Sequence, residues 1–306
     1  MSHALPPSAD PTISEHYHLT GALPFLNVHV QRDNLLFLDP SAIRNSPAEH
    51  AIAAQLQLTS FFDEVSRCAR SPHPADRDKG QKLLQQLHEP NETRLGMSAN
   101  GVAGHGFGDG MGALLWHELR TNPACLHAAL RKLEDVPLFI DGVGHDLISD
   151  LTTRIVFDVL ADFTAQMMIT YPSLAVGATT EVSPVWDATT LSWTTRSLHL
   201  PFVDGRQLLL VPKGWVYWRL LMDYEAFYNR HSTRTVQDER TTYDRDRNPV
   251  KPTKKALNAE FKDLKRLNNQ QAVRYIREDV DLVGQYRAEV DAEFEPLDDN
   301  QLEERM

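Results

Sequence analysis

Bulky apolar side chains thin out after Tyr228, and from Asn229 onward charged residues dominate the chain. Burial of apolar surface is the main favourable term in folding, so the core has to be built from what precedes that point. Residues 1–20, with Pro6, Pro7 and Pro11 and few large apolar groups, bury too little to offset the entropy of ordering. Three parts follow: a flexible arm at 1–20, a mixed α/β core domain at 21–228, and a charged helical extension at 229–306. A chain of 306 residues with 42% hydrophobic and 24% charged side chains has enough material for such a core.

Within the core, residues 23–38 (LPFLNVHVQRDNLLFL) alternate around Arg32-Asp33-Asn34, which predicts a hairpin. Helical spacing covers 47–69 through Ile52, Leu56, Phe61, Phe62 and Val65, and a more polar helix covers 76–87. A buried strand is expected at Val136–Ile140, then a helix N-capped by Ser149 whose inward face is Ile155, Val156, Val159, Leu160, Phe163 and Met167. After Tyr171-Pro172 the texture turns to strand, with Val203-Asp204-Gly205-Arg206 as a hairpin turn. The fold class is therefore mixed α/β: N-terminal helices, a central sheet of about five or six strands, and the charged helical extension.

Net charge and cysteine usage bound the setting. Lys plus Arg number 31 against 42 Asp plus Glu, and the resulting −11 argues against a general coat for nucleic acid or anionic membrane, though a local basic patch is compatible with it. No apolar run approaches the length of a membrane helix, so no membrane partner is expected. Two cysteines, Cys68 and Cys125, suit a reducing cytoplasm rather than a disulfide framework.

Chemistry concentrates in three places. The run Asp141-Gly-Val-Gly-His145-Asp146-Leu-Ile-Ser149-Asp150 puts carboxylates and a histidine behind the expected strand end, where open α/β sheets hold their sites. Asp146 and Asp150 have the spacing to meet on one Mg²⁺, which takes oxygen ligands; the same side chains would equally serve as helix caps. The segment GMSANGVAGHGFGDGMG at 96–112 holds seven of the fifteen glycines, and Gly104, Gly106 and Gly108 could bring backbone N–H groups against a phosphate or simply form a mobile lid. Lastly, Arg230–Arg277 carries thirteen basic and six acidic residues, whereas Glu278–Met306 carries two and eleven. In the basic half, Lys254, Lys255, Lys262, Lys265 and Arg266 suit contact with phosphate, unless the acidic terminus or a partner subunit neutralises them. The Trp186, Trp193, Trp215 and Trp218 cluster fits burial better than base stacking.

Asp146 after one strand, then Asp204 and Lys213 around a later one, resembles the metal-dependent PD-(D/E)XK nucleases over residues 136–228. That resemblance implies acids holding Mg²⁺ and a lysine beside the attacked phosphate. Val211 stands where the family has an acid two residues before the lysine, so Glu181, Asp204 or Glu225 would have to complete the shell. The phrases LLFLDP (35–40), LGMS (95–98), GVGHDLISDLTT (142–153) and LLLVPK (208–213) look like those of a poorly characterised family of bacterial proteins, and that resemblance implies a setting in antiviral defence without a mechanism. Gly-x-Ser-x-Gly, His-Glu-x-x-His and Cys-x-x-Cys are absent from the sequence. The reading that results is a cytoplasmic, Mg²⁺-dependent nuclease or phosphoesterase acting on nucleic acid, with Asp146, Asp150 and Lys213 catalytic and Asp146, Asp150, Asp204 and Glu181 on the metal. The alternative is a non-catalytic subunit or adaptor, alone or as a homo-oligomer, that binds nucleic acid or a partner protein through its charged C-terminal region.

Overall fold

The computed structural model describes residues 10–87, 90–96, 107–127 and 129–306, without the side chains of 107–109 and 111. At the start, Thr12 and Glu15 close a capping box on helix α1 (Ile13–Tyr17). Ile13 and Tyr17 are buried, so this part of the expected arm docks onto the body. Phe25, Leu26, Val28 and Val30 are all buried too, with Pro24 exposed and Asn27 and His29 half-buried between them, so the stretch alternates without pairing to the one that follows it. In place of the expected hairpin it takes distant partners. Leu26 N–H donates to Val211 O at 2.9 Å, and Ile13 N–H donates to Val28 O at 3.0 Å. Strand β1 (Phe37–Leu38) pairs antiparallel with residues 216–217.

Asp39 then accepts the Ser41 and Ala42 N–H groups and starts α2 (Pro40–Asn45) with proline in its first turn. Helix α3 (Glu49–Arg70) buries Ala51, Ala54, Leu58, Phe61, Phe62, Val65, Cys68 and Ala69. Ile52 and Leu56, expected inward, are 74% and 61% exposed, because the stripe is built from small residues in its first two turns. Those alanines let neighbouring elements approach closely. Gly80 of α4 (Pro74–Gln85) does the same: a Cβ there would lie 2.6 Å from Cys68 Cβ and from the Trp116 ring of α5 (Phe107–Thr121). Helix α5 begins within the glycine-rich segment rather than after it. Gly112 of that helix passes close to α4, where a Cβ would lie 3.0 Å from the Leu84 carbonyl oxygen.

Short α6 (Pro123–Leu126) leads to a 3₁₀ turn at Leu133–Leu138, where the strand was expected. A short apolar run carries no periodicity to separate strand from turn, and Pro137 removes a ladder donor. Helix α7 (His145–Ile155) starts behind Gly144, four residues before the expected cap Ser149. The expected apolar face of Ile155, Val156, Val159, Leu160, Phe163 and Met167 is buried where α7 passes into α8 (Phe157–Thr170).

The strand-rich part is built from hairpins. Strands β2 (Thr179–Asp187) and β3 (Ser192–Leu200) pair antiparallel with Trp186 opposite Trp193. Strands β4 (Phe202–Val203) and β5 (Arg206–Gln207) flank Asp204-Gly205, both at positive φ (53° and 74°), which is the backbone the Asp-Gly turn signal predicts. Strand β6 (Val216–Tyr217) closes on β1, and β7 (Thr242–Tyr243) pairs with β8 (Pro249–Val250). The class is mixed α/β, but the strands of the described residues form four separate two-stranded sheets rather than one central sheet of five or six.

Helix α9 (Tyr224–Phe227) continues through a π-helical turn at Tyr228–Ser232 into α10 (Thr233–Glu239), so the 228/229 boundary lies inside continuous helix. Helices α11 (Lys254–Glu260), α12 (Leu264–Ile276), α13 (Leu282–Glu293) and α14 (Asp299–Glu303) complete the chain. Ala272, Val273, Leu282, Val283, Tyr286, Val290, Leu297 and Leu302 join the main hydrophobic cluster, which starts at Ile13. Arg44, Glu134, Asp135, Arg287 and Asp291 form a half-buried ionic network that ties α2, the 3₁₀ turn and α13 together.

Candidate functional site

Asp146 and Asp150 stand one turn apart on α7, both half-buried. Gly96 lies against Asp146, since a Cβ on that residue would sit 3.0 Å from Asp146 Oδ1. On the same helix, Ser149 Oγ accepts the Leu38 N–H at 3.0 Å and His145 Nδ1 accepts the Leu220 N–H at 2.8 Å. Asp39 Oδ2 accepts the Leu221 N–H at 2.8 Å, and burial raises the pKa of that carboxyl against the pull of its backbone donors. Polar groups of the LLFLDP and GVGHDLISDLTT phrases are thus spent on holding backbone together.

The other expected metal residues lie elsewhere. Glu181 is exposed on β2, where its charge helps burial raise the pKa of Glu92. Asp204 is exposed at the β4–β5 turn, within electrostatic reach of Arg94. Lys213 forms an ion pair with Asp299 of α14. Among the described residues no three His, Cys, Asp or Glu side chains gather as a metal-holding group. Asp146, Asp150, Glu181 and Asp204 therefore do not come together as one such group among the described residues. Gly104 and Gly106 lie outside the described residues, and Gly108 sits in the first turn of α5. Trp186 and Trp193 pack edge-to-face with centroids 5.8 Å apart, and their ring N–H groups donate to Ser60 Oγ and Leu83 O, so they serve the core.

The charged C-terminal region divides sharply. Lys265 is 9% exposed, donates to Ile140 O at 2.5 Å and lies 4.9 Å from the Tyr224 ring centroid. Burial pushes its pKa down, opposed by Asp141, Asp223 and Asp263. It lies on the inward face of α12 with Asn268, Gln271 and Ala272, which explains why an expected surface lysine is buried. Lys254 reaches Asn229 O at 3.0 Å. Lys255, Lys262 and Arg266 are exposed. Nearby carboxylates are engaged with other cations: Glu260 with Arg240, Asp238 with Lys251 and Glu239 with Arg274. The acidic end is likewise committed, with Asp281 on Arg131, Glu289 and Glu293 on Arg230, Asp291 on Arg44, and Asp299 on Lys213.

Beside this basic face, α12 and the α5–α6 corner enclose a cleft of about 690 Å³ with Phe139 and Asp141 on its wall. Asn122 and Asn269 clamp the two sides together at 2.6 Å. Reading residues 229–306 as a charged helical extension missed this cleft. Its signal was the polar spacing Arg266, Gln270, Arg274 at i, i+4, i+8 on α12. Buried Arg94 was also missed: it is 1% exposed and donates to the carbonyls of Val30, Asn91 and Val203, and burial brings its pKa down to about 10. No local pattern separates such an arginine from a surface one.

No curated protein and no solved structure matches the chain. Residues 17–222, two thirds of the sequence and the span that holds β1 to β6, match the family described as a domain of unknown function, DUF8370, and the chain belongs to that family.

Proposed function

We propose that the chain is a non-catalytic nucleic-acid-binding subunit whose contact surface is the basic side of α11 and the α11–α12 junction. One observation carries this reading. Asp281, Glu293, Asp291 and Asp299 of the acidic end pair with Arg131, Arg230, Arg44 and Lys213, while Lys255, Lys262 and Arg266 stand exposed with no carboxylate partner among the described residues. A cation without a protein partner gains most from a phosphate, because binding releases the counterions condensed on the nucleic acid. With a chain charge of −11, the rest of the surface repels a polyanion and confines the contact to this face.

Fluorescence anisotropy with labelled oligonucleotides of about 20 nucleotides, single- and double-stranded, tests it. Lys255→Ala and Lys262→Ala should each weaken binding about threefold or more at low salt, with unchanged melting temperature. Lys213→Ala, whose partner is Asp299, should leave binding as it is. Mg²⁺-dependent cleavage that Asp146→Asn abolishes would replace this reading by the nuclease. Binding of a protein, with none of any oligonucleotide, would make the surface a partner-docking face.

A further inference from the structure

We propose that the cleft between α12 and the α5–α6 corner binds a small zwitterion, an α-amino acid or dipeptide with a free ammonium and a free carboxylate. A volume of about 690 Å³ is that of a small-molecule site, and Phe139 and Val273 supply apolar wall. Four cationic and four carboxylate side chains line it, so neither a simple anion nor a simple cation finds a matching field. A ligand with separated charges does.

Most of the lining is already committed. Arg274 pairs with Glu239 and Glu278, Arg277 bonds His127 at 2.6 Å, and Asp263 caps α12 through the Arg266 N–H. Asn122 bonds Glu118 as well as Asn269, and Lys265 holds Ile140 O. Three groups keep free capacity, with no side-chain hydrogen bond or ion pair among the described residues: Arg266, Asp141 and Gln270. A guanidinium takes a carboxylate through paired N–H donors, a carboxylate takes an ammonium, and the amide serves the peptide or α-substituent between them. A sugar would leave both formal charges without counter-charge. Lys255 and Lys262 do not line the cleft, so it shares only Arg266 with the basic face.

Isothermal titration calorimetry on the full chain, with the common α-amino acids and glycyl dipeptides as probes, tests the assignment. The best binder should have a Kd below about 1 mM. N-acetylation or C-amidation of it should each cost about tenfold or more. Asp141→Asn should cost as much against the free ligand and nothing against its acetylated form, and Arg266→Gln should cost as much and nothing against the amidated form. Both positions are exposed, so the variants should fold, which circular dichroism checks. Lys255→Ala plus Lys262→Ala should leave the zwitterion affinity unchanged even where nucleic-acid binding is lost. No zwitterion binding, equal binding of the blocked forms, tighter binding of glucose or inorganic phosphate, or indifference to both cleft variants would overturn the proposal.

Discussion

Single side chains set much of what this molecule can tolerate. Gly80 has no room for a methyl group, so Gly80→Ala should cost about 1–3 kcal/mol in urea unfolding as Trp116 or Cys68 gives way. Glu64, buried on α3 and held by Arg67 and Lys79, has its carboxyl pulled down to about 2, chiefly by the Arg67 hydrogen bonds. A folded-state pKa below the unfolded value means that the stabilisation is fully present above about pH 4.5 and is lost as pH falls toward 2. Because Arg67 and Lys79 are half-exposed and screened, the effect is discounted to about 1–2 kcal/mol. Glu64→Gln should therefore be less stable than the parent by that amount at neutral pH. Melting curves of the two proteins should converge as the buffer is taken down through pH 4 toward about pH 2.

At the scale of elements, the long periodic segments were legible and the short ones were not. Helix α3, the face of α8 and the Asp204-Gly205 turn all carry a repeated or specific local signal. The 23–38 hairpin and the 136–140 strand were inferred from apolar runs of a few residues, and tertiary partners decided their form. Ser149 shows the mechanism: its cap-like hydroxyl is used one turn inside α7 to satisfy Leu38 N–H. Ser149→Ala should cost about 1–3 kcal/mol by leaving that buried donor without a partner. The link between α13 and the 3₁₀ turn rests on Arg287, which holds Glu134 and Asp135, 5% and 0% exposed. Arg287→Ala leaves Asp135 buried without its ion-pair partner and should destabilise by about 3 kcal/mol or more, read as a lower urea midpoint. A sequence shows such a network only as scattered charges.

For the whole molecule, the apolar gradient along the chain suggests a charged extension outside the core, and the fold uses that segment differently. Val290, Leu297 and Leu302 are 7%, 6% and 1% exposed, and Asp291 and Asp299 pair with Arg44 and Lys213. Deleting residues 288–306 should lower the melting temperature by several degrees or more through the loss of these buried side chains. It should not uncover extra cations on α11, because the deleted carboxylates pair elsewhere. The candidate site was legible in residue type and only partly in place: Lys255, Lys262 and Arg266 stand exposed, Lys265 is buried, and the four acids expected on a metal do not gather as one group among the described residues. The most direct test of the proposed function is a salt titration of oligonucleotide binding in the presence of Mg²⁺. Three phosphate contacts predict log K falling linearly against log salt with a slope of about −3 on duplex DNA, flattening by about one unit for each of Lys255→Ala, Lys262→Ala and Arg266→Gln, while the oligonucleotide stays intact. A slope near zero, or cleavage that requires the metal, would contradict it.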